Sequence, residues 1–297
     1  MENCYQYASE DGKELSMVFS FHHLKVDFMG NEKWVMVPFD FHKLKHILFD
    51  WQTHMAEHHA WNAVFWCNHD QPRVVSRFGN TKEYWKESAK MLGTVIHCMR
   101  GTPYIYQGEE LGMTNPGFTD ISQYKDVESL NHFRILQEKG LTEENAYQIL
   151  QIHSRDNSRT PMQWTDQENA GFTTGQPWIE VNPNCSYINA EAEEKDEDSI
   201  FHYYQKLIAL RKNYDIIGYG DIEALDENHP SVFAYRRSYG DQRMLVISNF
   251  YGKEVSWEAE EDLESYECIL SNYEEHTLSG QTVALKPYET LVLYKSA

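Results

Sequence analysis

Asn62-Ala63-Val64-Phe65-Trp66-Cys67-Asn68-His69-Asp70-Gln71-Pro72-Arg73 changes character in its middle, where a β-type run empties into a polar turn carrying an imidazole beside a carboxylate. A strand that ends in such a pair is how a β/α barrel presents polar groups at its C-terminal rim, where barrel enzymes do their chemistry. An adjacent imidazole and carboxylate suit the vicinal hydroxyls of a sugar. The pair alone says little, so its weight depends on what flanks it.

On either side the chain alternates strand and helix. Residues 15–21 (LSMVFSF) read as a strand, followed by a helix over 41–57 with Phe41, Leu44, Leu48, Trp51 and Met55 at helical spacing. The central strand, 62–66, leads to a helix predicted over 81–99, with Asn80 and Glu83 spaced as a capping box. A third strand, 102–106, precedes Gln107-Gly108-Glu109-Glu110, an excursion over 112–198, and a helix over 199–212 that Asp198 is expected to cap. Within the excursion two helices are predicted, 127–138 ending at Gly140 and 143–153 behind Thr142. Such alternation indicates parallel β/α architecture, and three units do not close a barrel.

Beyond about residue 216 the pattern turns to short alternating runs at 232–237, 244–250, 255–258, 268–270 and 290–294, with a hairpin turn at Gly240-Asp241. The expected division is therefore a barrel part over 1–215, with its insertion at 112–198, and a small antiparallel β domain over 216–297. The fold class is α/β, a parallel strand–helix part plus that domain.

A net charge of −20 over 297 residues argues against nucleic acid or an anionic membrane as the main partner. The five cysteines are odd in number and scattered, with no C-x-x-C, so neither a disulfide framework nor a zinc knuckle is suggested. No apolar run approaches the ~18 residues of a membrane span, and the first residues lack the basic and apolar regions of a signal peptide. A cytoplasmic location is the expectation, with no cofactor and no metal.

Four ordered blocks resemble the α-amylase superfamily of glycoside hydrolases (family 13), in the α-glucosidase group that includes oligo-1,6-glucosidase and dextran glucosidase. CNHDQPRVVSRFG (67–79) is similar to the family's block after strand seven, GTPYIYQGEELGM (101–113) to its strand-eight block, and SRDNSRTPMQW (154–164) to its late signature. FHHLKVDF (21–28) followed by Glu32-Lys33-Trp34 resembles the branch that acts on trehalose 6-phosphate. The resemblance runs over essentially the whole chain and implies the last part of a (β/α)8 barrel, strands six to eight with the long insertion, followed by the antiparallel β domain, with the chain beginning just past strand five.

Retaining glycosidases use two carboxyl groups about 5–5.5 Å apart, as nucleophile and proton donor. The resemblance places both upstream of this chain and implies a third carboxylate, Asp70, which grips the sugar's 2- and 3-hydroxyls and tightens in the transition state. His69 is implied as its partner, Arg159 as a contact to the non-reducing-end glucose, and Glu128 as a lining of the neighbouring aglycone subsite. Glu109 and Glu110 match a structural part of the pattern, and Arg73 reads as structural. His22, His23, Lys25 and Lys33 are expected to form a compact basic patch on the rim, with Lys25 and His22 as candidate phosphate ligands. The implied activity of the complete protein is hydrolysis of trehalose 6-phosphate to glucose and glucose 6-phosphate, the chain alone being inactive.

Other readings stay open. The substrate is a phosphorylated disaccharide or a plain α-glucoside, so an oligo-1,6-glucosidase or dextran glucosidase is the rival within the class, and a non-catalytic carbohydrate-binding remnant is the rival outside it. His54-Met55-Ala56-Glu57-His58 fits the H-x-x-E-H pattern of inverted zinc peptidases, on a helix expected to lie outside the barrel. Open barrel edges are expected to cause self-association or to require an N-terminal half.

Overall fold

A computed structural model describes residues 4–9, 11 and 13–296. Its first part is a three-stranded parallel sheet in the order β1 (Val18–Phe19), β2 (Asn62–Val64), β3 (Thr102–Pro103), with helices in the connections. A short helix α1 (Cys4–Tyr7) precedes β1. After β1 come α2 (Phe41–Glu57); after β2, α3 (Val74–Phe78) and α4 (Trp85–His97). The excursion after β3 holds α5 (Val127–Glu138), α6 (Glu143–His153) and α7 (Ala190–Lys195), and then α8 (Ile200–Asn213) and α9 (Asp215–Tyr219) follow.

The outer strands are shorter than the sequence predicts. Each pairs only with β2, over two residues, and among the described residues no strand on its other side extends the ladder. The helix predicted over 81–99 starts late: Asn80 Oδ1 accepts from the backbone of Lys82 at 2.8 Å and Tyr84 at 3.3 Å, which closes a turn instead of a capping box with Glu83. α3, packed into the polar turn itself, is an addition that periodicity did not reveal. Ser199, not Asp198, caps α8 by accepting from His202 N at 3.1 Å. Asp198 pairs with Lys90 at 2.6 Å instead. α5 and α6 run as predicted, capped by Asp126 and Thr142, and Gly140 takes the left-handed φ of +90° that ends α5.

The C-terminal part has a five-stranded antiparallel sheet in the order β4 (Asp221–Leu225), β5 (Val232–Tyr239), β6 (Gln242–Asn249), β11 (Thr290–Lys295), β8 (Glu267–Ser271). A smaller sheet has the order β7 (Val255–Glu258), β10 (Thr282–Leu285), β9 (Thr277–Ser279). β4, β9 and β10 span only three to five residues each, too short for their alternation to have been read as strands. The larger sheet is buried on both faces, as the period of two dictates. Val232, Ala234, Leu245, Ile247, Leu291 and Leu293 face Trp257, Val283 and Leu285 of the smaller sheet. Phe233, Tyr235, Met244 and Val246 join the barrel core with Leu44, Phe49, Leu92 and Val95.

Candidate active site

The C-terminal end of β2 continues through buried Phe65, Trp66 and Cys67 into the turn at Asn68. Asn68 Oδ1 accepts from Asp70 N at 2.8 Å and its carbonyl accepts from Gln71 N at 3.1 Å, so this one residue folds the turn that presents Asp70. Pro72 O accepts from Cys67 Sγ at 3.2 Å, and burial pushes the thiol up to about 12. Arg73, buried and stacked 5.3 Å from the Tyr106 ring, donates to Gln107 O at 2.5 Å and so joins the turn to the segment after β3.

The segment 154–159 of the excursion folds back onto this turn. Ser154 caps a 3₁₀ turn over Arg155–Ser158; Ser158 Oγ donates to Asn68 O at 3.1 Å and Arg159 Nε to His69 O at 2.7 Å. Arg159 then reaches Asp70 Oδ1 at 2.6 Å, while His69 Nε2 lies 3.4 Å from Asp70 Oδ2. Arg155 stands behind, 3.6 Å from Asp70 Oδ1 and 3.1 Å from both Asp126 Oδ1 and Glu128 Oε2. Glu128 Oε2 is also 3.3 Å from Lys33 Nζ. The structure thus brings Asp70, His69, Arg159 and Glu128 into one charged network, adds Arg155 and Asp126 as members that sequence reasoning did not single out, and draws in Lys33, which it had placed in a basic patch. Arg155 lies in the same quoted motif as Arg159, but nothing in a linear pattern says which of two arginines meets three carboxylates.

Burial opposes ionisation of Asp126, yet bonds from Ser129 N and Oγ together with Arg155 hold its carboxyl below the usual range. Asp70 is half-buried and His69 exposed, and both open onto the rim, within reach of a polar ligand. Beside them a hollow of about 270 Å³ is lined by Phe19, Phe21, Phe65, Asn68, His69 and Tyr104. Aromatic faces beside a charged grip are the usual make-up of a sugar site.

The compact basic patch does not assemble, which corrects the sequence reading. His23 is buried against the rings of Phe65 and Trp66, and desolvation pulls its pKa down to about 3, leaving it neutral. Lys33 spends its charge on Glu128. His22 turns toward Ser20 Oγ, 3.2 Å away, and the Trp51 ring, and Lys25 is exposed on the same 3₁₀ turn. A run of bases in sequence therefore scatters, because a 3₁₀ turn sends successive side chains in different directions.

Glu109 is buried, accepts from Tyr204 OH at 3.0 Å, and is pushed up to about 8 by desolvation, with Glu110 adding to the rise. Glu110 accepts from Gly108 N at 2.8 Å. The unfolded chain releases the Glu109 proton near the ordinary 4.5, whereas the folded chain keeps it to about 8, so this group costs stability as pH rises across that window. Glu109→Gln is therefore expected to gain on the wild type steadily between pH 5 and 8 in thermal denaturation; a constant difference across that range would contradict it. His54 and His58 pack on Tyr5, the His58 ring stacked 3.9 Å from it. They lie about 20 Å along α2 from its rim end, and no cluster of three metal-ligating groups occurs among the described residues.

This chain belongs to the alpha-amylase family: residues 1–220 match "Alpha amylase, catalytic domain" and residues 232–292 match "Alpha-amylase SusG C-terminal domain". It is 54% identical over 296 residues to trehalose-6-phosphate hydrolase of Bacillus subtilis (strain 168), covering 98% of this chain and 53% of that protein. It is 50% identical to oligo-1,6-glucosidase of Bacillus cereus over 295 residues, covering 98% of this chain and 52% of the relative. Among solved structures, the trehalose-6-phosphate hydrolase of Bacillus licheniformis superposes with a TM-score of 0.96 at 52% identity, over 100% of this chain and 54% of that one. The chain therefore spans about half the length of the relatives it matches, as their C-terminal portion, and the three parallel strands are part of a barrel.

Proposed function

We propose that this chain is the C-terminal part of a retaining α-glucosidase whose complete form hydrolyses trehalose 6-phosphate to glucose and glucose 6-phosphate in the cytoplasm. The observation that carries the reading is the grip on Asp70: Arg159 at 2.6 Å and His69 at 3.4 Å hold it at the rim beside an aromatic hollow. In this reading Asp70 binds the 2- and 3-hydroxyls of the glucosyl ring and tightens as the ring flattens toward an oxocarbenium ion. His69 and Arg159 orient the same ring. Glu128 faces the leaving group. The nucleophile and proton donor come from a preceding half, so the chain alone turns nothing over, and the division into 1–215 and 216–297 separates barrel from β domain.

Two open strand edges and the exposed rings of Phe19, Phe21 and Tyr104 support association with an N-terminal half, or with a second copy. Mixing the chain with a polypeptide matching the N-terminal half of the B. subtilis relative is expected to restore α-glucosidase activity that neither piece has. Activity of the chain by itself would refute this, while saccharide binding without turnover in the mixture would favour a non-catalytic remnant.

Two groups remain for phosphate, His22 and Lys25. In a fusion of that N-terminal half to this chain, Lys25→Ala is expected to raise KM for trehalose 6-phosphate about tenfold, the loss of roughly 1.4 kcal/mol of charge-assisted binding, with KM for isomaltose unchanged. Equal KM values for trehalose 6-phosphate in the two proteins would remove Lys25 from the site. The dispersal of the basic patch favours a second reading, an oligo-1,6-glucosidase. Comparing phosphorylated and plain disaccharides in the fusion separates the two.

A further inference from the structure

Among the described residues, Arg155 is the one side chain that touches both ends of the network, Asp70 on one side and Glu128 on the other. We propose that Arg155 is a positioning residue, coupling the carboxylate on the aglycone side to the carboxylate that grips the glucosyl ring; this rests on the α-glucosidase reading of the site.

A guanidinium is a rigid plane, so where one terminal nitrogen is held determines where the other can sit. The NH2 atom of Arg155 lies 3.1 Å from Asp126 Oδ1 and 3.1 Å from Glu128 Oε2. Asp126 is an anchor, since it caps α5 and accepts from both Ser129 N and Ser129 Oγ at 3.0 Å. Glu128 is the adjustable partner, because Lys33 shares the same oxygen at 3.3 Å. The NH1 atom then stands 3.6 Å from Asp70 Oδ1, longer than the 2.6 Å bond from Arg159 to that oxygen. The long contact is the one with room to close. When a leaving-group substituent occupies Glu128 or Lys33, the pull on NH2 changes, and the plane carries that change to Asp70.

The turn bearing Arg155 does not depend on its side chain. Ser158 and Arg159 bond the backbone at Asn68 and His69, and Asp156 accepts from Lys125 N and Asp126 N at 2.7 and 2.8 Å. Arg155 variants therefore keep the scaffold, and a change at Asp70 can be assigned to the lost coupling.

The reporter is the Nε–H resonance of Arg159 in this chain, followed by NMR, because that group donates to His69 O beside Asp70. Glu128→Gln is expected to shift the resonance in the wild-type background and to leave it in place in Arg155→Met. Arg155→Gln serves as the second background should the methionine variant unfold. Equal shifts with and without Arg155, or no shift in the wild-type background, would overturn the proposal. In the fusion with the N-terminal half, Arg155→Met is expected to lower kcat about a hundredfold, the scale of a 1 Å misplacement, with little change in KM and partial recovery in Arg155→Lys. Adding Glu128→Gln to Arg155→Met should cost nothing further in kcat, and additive losses in kcat would count against coupling. An inactive wild-type fusion would refute the glucosidase reading alone, since the resonance test decides the coupling without turnover.

Discussion

Replacing Asp70 with Asn in the completed barrel is expected to lower kcat for an α-glucoside about a thousandfold, the upper range for removing one preorganised electrostatic contact to a transition state. The substitution keeps the shape of the side chain and removes its charge. That charge matters twice. In the proposed reading it accepts from the sugar hydroxyls as positive character builds on the ring, and in the structure it neutralises Arg159 at 2.6 Å and Arg155 at 3.6 Å, two guanidiniums aimed at the same oxygen. Losing it leaves both cations facing one another across the site, so Arg159 should swing away from the ring it orients. KM is expected to move far less than kcat, because the interaction strengthens only as the transition state forms. Steady-state kinetics of the purified variant decide the matter, and a loss in kcat smaller than about tenfold would mean that the carboxylate only fastens a loop.

The second large effect concerns the joint between the two parts of the chain. Arg237, fully buried on β5, donates to Cys98 O at 2.6 Å, Ile217 O at 2.9 Å, Gly220 O at 2.6 Å and Asp221 O at 3.1 Å. Cys98 ends the barrel helix α4, and the other carbonyls line the passage from α9 into β4. Arg237→Met fills similar volume and strands these acceptors away from water. At about 1–3 kcal/mol for a buried group left unpaired, partly offset by no longer burying a cation, the net cost is about 3–5 kcal/mol. At roughly 2–4 °C per kcal/mol for a chain of this size, Tm should fall by about 10 °C. Calorimetry of the variant checks this, and a fall of under about 3 °C would show that the joint is held by the apolar contacts of β5 and β6 alone.

Those apolar contacts were legible before the fold was. The apolar run Val232-Phe233-Ala234-Tyr235 marks a strand, and its lack of polar positions agrees with a sheet covered on both faces. α2, α5 and α6 were equally plain, because apolar residues recur at helical spacing in α2, Gly140 closes α5 and Thr142 caps α6. α3 was not, since five residues give too short a window for periodicity. β4 and β10 hid for another reason. They alternate buried and exposed residues over only four or five positions, with small or acidic side chains outward.

For the site, the NHD turn and the RDNSR segment were visible as motifs, each carrying its own charged groups. Their meeting was not. It depends on Ser158 and Arg159 finding the carbonyls of Asn68 and His69, across 90 residues of chain. The basic run after β1 shows the opposite case, in which neighbours in sequence part company: His23 goes into the core and loses its charge, and Lys33 goes to Glu128.

What the sequence by itself determined is therefore local and periodic: which segments form most of the helices and strands, and which side chains have the chemistry to hold a sugar. Only the tertiary structure decided which charges share a site and which cancel. The physical reason is range, since capping and amphipathic patterning act within a few residues, whereas burial and ion pairing depend on groups the folded backbone brings together from distant parts of the chain. Asp70 could be picked out from the sequence, but its two arginines could be placed beside it only by the fold.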